Sequence, residues 1–245
     1  MEKKIERRVC LAFDLDDTLM PTIHKYHLPM IECLKIICKE LKEESLHPLE
    51  VLQKFDEKDR LSWKSGFHRG RFGKAWEETY KEICREKKIT PKTRVEKKIF
   101  KTASKFDKGP FKIDKEIIEI IKKLRKRFYL VLVTAGDHIL QQRKIKASRI
   151  GKYFDEVKVV NLKKEEVLKQ LAERFGHPHT WMIGNSLRSD VEAALKAGIR
   201  CVHIPKETWS FERSINHEAQ KKFHHQVIRI MKFSDLEGLI PLFLL

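Results

Sequence analysis

Three carboxylates, Asp14, Asp16 and Asp17, follow directly on the apolar run Val9-Cys10-Leu11-Ala12-Phe13. Placing that much negative charge at the end of an apolar strand is costly unless a cation shares the site. Alternate residues of an extended chain point the same way, so Asp14 and Asp16 can face one cavity. One carboxylate can then attack an electrophile and the other can move protons. A hard cation can sit between them and a phosphate. The plainer alternative is a strand running into an Asp-rich turn.

Further polar groups recur after later apolar runs. Thr134-Ala135-Gly136 offers a hydroxyl and close backbone N–H groups after Tyr129–Val133. Lys163 and Lys164 open a helical segment after Val157–Val160. Asn185 and Asp190 follow Thr180–Ile183. A parallel sheet gathers the carboxyl ends of its strands at one edge, where ligands bind in such folds. Trp63, Lys64, His68, Arg69 and Arg71 form a basic, aromatic cluster that reads either as a grip on an anionic substrate or as a solvated loop. His177-Pro178-His179 and His224-His225 lack a carboxylate or Cys at metal spacing and read as ordinary polar segments. Trp181 and Trp209 read as core or interface residues.

The elements that position these groups follow from periodicity. Between Pro21 and Pro110 the apolar residues recur at helical spacing, with Ile31, Leu34, Ile37 and Leu41 as one example. Helices are expected from Met30, over 46–55, over 74–86, and from Thr90-Pro91 to about Phe106. No strand is evident there, and Asp107-Lys108-Gly109-Pro110 closes the segment. After Pro110, helices at 115–127, to about 148, at 163–175 and at 190–196 alternate with strands at 129–133, 157–160, 180–183 and 201–204. Strands alternating with helices imply right-handed crossovers and a parallel sheet. The fold expected is α/β: a three-layer, Rossmann-like core over 1–20 and 110–245, with a helical domain inserted at 21–109.

Composition narrows the function classes. The chain has 245 residues, 52 Lys and Arg, 35 Asp and Glu, and a formal charge of +17. Such a field draws in anions, whether phosphorylated metabolites and nucleotides, nucleic acids or acidic membrane surfaces. No apolar run is long enough to span a bilayer, and Asp14 interrupts the first one too early for a signal peptide. Five cysteines without a CxxC pair read as free thiols of a reducing, cytoplasmic compartment.

Taken together, the motifs resemble those of the haloacid dehalogenase-like (HAD) phosphohydrolase superfamily. Asp14-Leu15-Asp16-Asp17-Thr18-Leu19 matches the first motif, Thr134 the second, and Lys163, or alternatively Lys164, the third. Gly184-Asn185-Ser186-Leu187-Arg188-Ser189-Asp190 matches the fourth. The resemblance runs from Val9 to Pro205, and 21–109 then corresponds to the helical cap that many members carry after the first motif. It implies a Mg²⁺-dependent phosphatase in which Asp14 attacks phosphorus to form an aspartyl-phosphate. Asp16 would protonate the leaving oxygen and then activate water. Thr134, Ala135, Gly136 and Lys163 would bind the phosphoryl group. Asp14, the Asp16 carbonyl, Asn185 and Asp190 would hold Mg²⁺. The family usually has Asp where this chain has Asn185, which shifts more of the expected metal binding onto Asp190. Asp16 favours phosphate transfer, because dehalogenase members lack that acid.

Two rivals remain at this level. A phosphomutase would pass the aspartyl-phosphate to a second hydroxyl. A basic nucleic-acid-binding protein, or a nucleic-acid end phosphatase, would use the +17 charge.

Overall fold

A computed structural model describes residues 8–42, 45–63, 66–206 and 226–245. Lys64, Trp209 and His224-His225 lie outside the described residues. The chain divides into two compact units, one formed by Met1–Pro21 with Pro110–Leu245 and the other by Thr22–Gly109.

The first unit holds one six-stranded sheet in the order β3-β2-β1-β4-β5-β6. The strands are β1 (Cys10–Phe13), β2 (Tyr129–Ala135), β3 (Glu156–Val160), β4 (Thr180–Gly184), β5 (Arg200–His203) and β6 (Val227–Arg229). Every pairing is parallel. β1 is central, with Phe13 opposite both Leu132 and Ile183. Being covered on both faces, its four residues are all buried and all apolar. β6 goes beyond the strands expected from sequence. Its three residues are too few to show a period, and it pairs along one side only.

Side-chain alternation builds three layers. Cys10, Ala12, Val131, Val133 and Met182 face Leu168, Leu171, Ala194 and Ala197 on one side. Phe13 and Trp181 face the other, where Phe13 meets Phe154 and Phe233, and Trp181 meets Phe243 edge-on at 4.9 Å. The helix before β5 ends in a Schellman turn. Gly198, at φ +69°, donates to Leu195 and Ile199 donates to Ala194.

The second unit is helical, with α1 (His24–Glu40), α2 (Pro48–Ser62), α3 (Arg71–Glu86) and α4 (Thr93–Ala103). Phe55 stacks on Trp76 at 4.1 Å, and Tyr26 on Phe106 at 4.5 Å. α1 begins earlier than Met30 and runs through Pro29. That residue reads as a breaker because it removes the N–H that would reach Lys25, yet it is buried inside the helix.

The basic cluster also differs from expectation. Arg71 is buried and donates to Asp59 Oδ1 at 2.6 Å and to Ser62 Oγ at 2.7 Å, with its guanidinium over the Trp63 ring. Trp63 Nε1 donates to the other Asp59 oxygen at 3.2 Å. Arg69 pairs with Asp107 at 2.8 Å. Arg71 is thus a structural cation of this unit, committed to a buried carboxylate, rather than an open grip on substrate.

Candidate active site

The site is built within the first unit, at the carboxyl ends of β1, β2 and β4. As β1 ends, the Asp14 N–H donates to Ile183 O at 3.0 Å, holding Asp14 at the sheet edge. The chain then turns tightly. Asp17 takes φ +60°, a backbone region that Asp tolerates better than most residues, and its N–H donates to Met20 O at 2.7 Å. This turn carries Thr18 back over Asp14. Asp17 shapes the bend, while Asp14 is buried and Asp16 is partly open.

Asp14 shares its surroundings with Lys164 and Asp190. The Lys164 ammonium donates to Asp14 Oδ1 at 2.5 Å and to Asp190 Oδ1 at 2.6 Å. Its side chain is 1% exposed, whereas Lys163, one residue earlier, is exposed. Lys164, not Lys163, therefore stands at the site: adjacent residues at a helix entry point in different directions, and only one reaches the sheet edge.

Asp190 stands at the site but as a partner of the lysine. Its second oxygen accepts the Ser186 N–H at 2.9 Å, so Lys164 and the main chain fix the carboxylate while each oxygen keeps a lone pair. Gly184 makes this possible. A Cβ there would lie 2.2 Å from Asp190 Oδ2.

Burial and the neighbouring carboxylates of Asp190 and Asp16 outweigh Lys164 and push Asp14 up to about 7 from an ordinary 3.8. Burial alone would lower Lys164, but Asp14 and Asp190 hold its pKa above the usual lysine value.

Thr134 is fully buried at the end of β2. Its hydroxyl lies 2.5 Å from Gln141 Nε2. The Gly136 N–H, expected to bind phosphate, is instead spent on Val160 O at 2.9 Å, because strand pairing continues to that residue. What Gly136 supplies is space: a Cβ would lie 2.9 Å from the Gln141 side chain. Ala135 pairs with Val160, and its carbonyl accepts weakly from Gln141 Nε2 at 3.4 Å.

Two residues escaped sequence reasoning. Both lie on the helix His138–Ser148, which follows β2. Lys144 Nζ donates to both Asp16 oxygens, at 2.8 and 2.7 Å, and Gln141 Nε2 donates to Asp16 Oδ2 at 3.0 Å. A third, His203, sits behind Asn185. Burial lowers the pKa of its ring, and Nε2 lies 3.0 Å from the Asn185 carbonyl.

Mg²⁺ fits the oxygens of this site. The Thr18 hydroxyl lies 3.1 Å from Asp14 Oδ2 and 3.0 Å from Asn185 Oδ1, yet has one hydrogen to give. Such an oxygen-rich, proton-poor corner suits a hard cation completed by water or substrate oxygen. Among the described residues no three His, Cys, Asp or Glu side chains converge on a metal position. The side-chain oxygens that flank this corner are those of Asp14, Thr18 and the Asn185 amide.

The chain also has known relatives. The haloacid dehalogenase-like hydrolase family matches residues 9–198 of the chain. The chain belongs to that family. A haloacid dehalogenase-like hydrolase of Xanthomonas campestris superposes with a TM-score of 0.74 at 20% identity, over 96% of this chain and 91% of that one. The HAD hydrolase YfnB of Bacillus subtilis, solved bound to magnesium, superposes with a TM-score of 0.58 at 17% identity, over 96% and 100%. These likenesses are ones of fold. The N-acylneuraminate-9-phosphatase of Rattus norvegicus is 30% identical over 97 residues, which span 36% of this HAD chain and 38% of the relative. Among the described residues, no helix is long and apolar enough to cross a membrane.

Proposed function

We propose that this HAD hydrolase is a Mg²⁺-dependent phosphatase acting on phosphate monoesters of small metabolites. The observation that carries the reading is the pair Asp14 and Asp16, each facing its own ammonium group, Lys164 and Lys144. Halide departure needs no proton, whereas an alkoxide leaving phosphorus does. A second acid two residues beyond the nucleophile therefore favours phosphate esters.

In the first step an Asp14 oxygen forms a bond to phosphorus as the bond to the ester oxygen breaks. Asp16 gives that oxygen its proton, and an alcohol leaves. In the second step water attacks the aspartyl-phosphate. Its proton passes to Asp16, the Asp14–phosphorus bond breaks, and inorganic phosphate is released. In this reading Lys164 and Thr134 would hold the phosphoryl oxygens. Bound Mg²⁺ would supply charge neutralisation between carboxylate and phosphate. The helical unit at 22–109 would serve as a cap that shapes the choice of alcohol.

The relative's name makes phosphorylated sugar acids the first substrates to try, and the +17 charge adds nucleotides and 5′-phosphorylated oligonucleotides. Phosphate release is measured across these with Mg²⁺ present. Turnover abolished in Asp14→Asn supports the reading. Release from none of them, or turnover surviving in that variant, overturns it.

A further inference from the structure

Asp16 is held by more contacts than proton transfer alone requires. Its side chain is 27% exposed, yet three donor contacts from the helix His138–Ser148 fix its direction. Lys144 grips both oxygens through an ammonium whose side chain is 5% exposed. Gln141 is 1% exposed, and its Nε2 joins Asp16 Oδ2 to the Thr134 hydroxyl. These are expensive groups to bury on a helix whose neighbouring Ile139 is left 62% exposed. The inversion is local: apolar surface is spent so that two polar side chains can reach one carboxylate. Gly136 completes the arrangement by leaving the room that Gln141 occupies.

We propose that Gln141 and Lys144 are positioning residues for Asp16, clamping its carboxylate toward the ester oxygen and, in the next step, toward water. The inference rests on the reading of Asp16 as the proton-handling residue. Lys144 acts on the reaction through Asp16, and Gln141 ties the pose of Asp16 to Thr134 at the phosphate end. A carboxylate freed from the clamp keeps its chemistry but loses its aim, and aim is what separates a placed acid from a dissolved one.

The test uses the full chain with Mg²⁺ and two substrates, a simple alkyl phosphate and p-nitrophenyl phosphate. The alkyl ester needs a proton on its leaving oxygen; the nitrophenolate does not. Lys144→Met is expected to lower kcat/KM for the alkyl ester about 100-fold and for the aryl ester less than about threefold. Aryl turnover should then leave phosphoenzyme on Asp14 after acid quench, because water activation is also slowed. Gln141→Leu should act in the same direction and serves if Lys144→Met melts early. In an Asp16→Asn background, Lys144→Met should cost nothing further. Equal losses on both esters, or additive losses in the double variant, would overturn the inference by making Lys144 a phosphate or fold residue. If Asp16→Asn itself fails to discriminate the esters, the proton role of Asp16 falls and the clamp with it. If Asp16→Asn discriminates while neither clamp variant does, the clamp alone falls.

Discussion

The Lys164 ammonium sits 2.5 Å from Asp14 Oδ1, with the lysine side chain 1% exposed and the carboxylate's 7%. It is also bound to Asp190, so removing it would strand two carboxylates in the interior. Lys164→Met is expected to cost about 3–5 kcal/mol of stability. Lys163→Met, at an exposed position, should stay within about 0.5 kcal/mol. Urea unfolding of both variants checks the assignment; equal effects would return the site to an unresolved pair.

The pH behaviour follows from Asp14, which stands near 7 in the metal-free protein against 3.8 ordinarily. Between those values the folded chain keeps a proton that the unfolded chain has released. Stability therefore falls as pH rises through that window and levels off above it. A cation at Asp14 competes with the same proton, so Mg²⁺ should raise Tm more at about pH 8 than at about pH 5.5. Thermal melts with and without Mg²⁺ would contradict this if the rise were larger in acid.

Asn185→Asp places a second anionic oxygen beside the single hydrogen of Thr18. Mg²⁺ binding by calorimetry should tighten, while the metal-free protein should melt at a lower temperature. No change in either quantity would put Asn185 outside the cation's reach.

Gly184→Ala drives a Cβ to within 2.2 Å of Asp190 Oδ2. Asp190 must move, and Lys164 with it. The expected cost is about 1–3 kcal/mol, together with a drop in kcat. Wild-type melting and turnover in this variant would mean that the β4 end shifts freely.

In the helical unit, Arg71→Ala leaves Asp59 buried without its cation and should destabilise by about 3–5 kcal/mol. Arg69→Ala, losing a half-exposed pair, should cost about 1 kcal/mol or less. Raised KM without loss of stability in Arg71→Ala would restore the substrate-binding role suggested by its neighbours in sequence.

Much of the sheet was legible because β1, β2, β4 and β5 carry runs of apolar residues that have no other use. β6 was not, since Val227-Ile228-Arg229 is defined by its neighbour in space more than by its own pattern. At the site, residue type marked Asp14, Asp16, Thr134 and Asp190, but spacing could not choose between Lys163 and Lys164. Gln141 and Lys144 stayed hidden because polar residues on a helix read as its wet face. One signal was present: they share a face with Leu140 and Ile145, which are buried, while Ile139 points outward. Arg71 misled for the converse reason, as a basic residue in a basic stretch shows nothing of the carboxylate it will meet.

The substitution of an amide at position 185 also sets an electrical rhythm. Counted as formal charges, before Asp16 takes up the proton it will donate, the carboxylates of Asp14, Asp16 and Asp190 against the ammonium groups of Lys144 and Lys164 leave one unit of negative charge in the pocket. A divalent cation turns that to one unit positive, and an arriving phosphate dianion turns it back to one unit negative. The pocket attracts each arrival in turn and never holds more than a single uncompensated charge. An aspartate at 185 would shift every stage by one unit and leave the cation-loaded pocket neutral, with no net pull on the phosphate that follows.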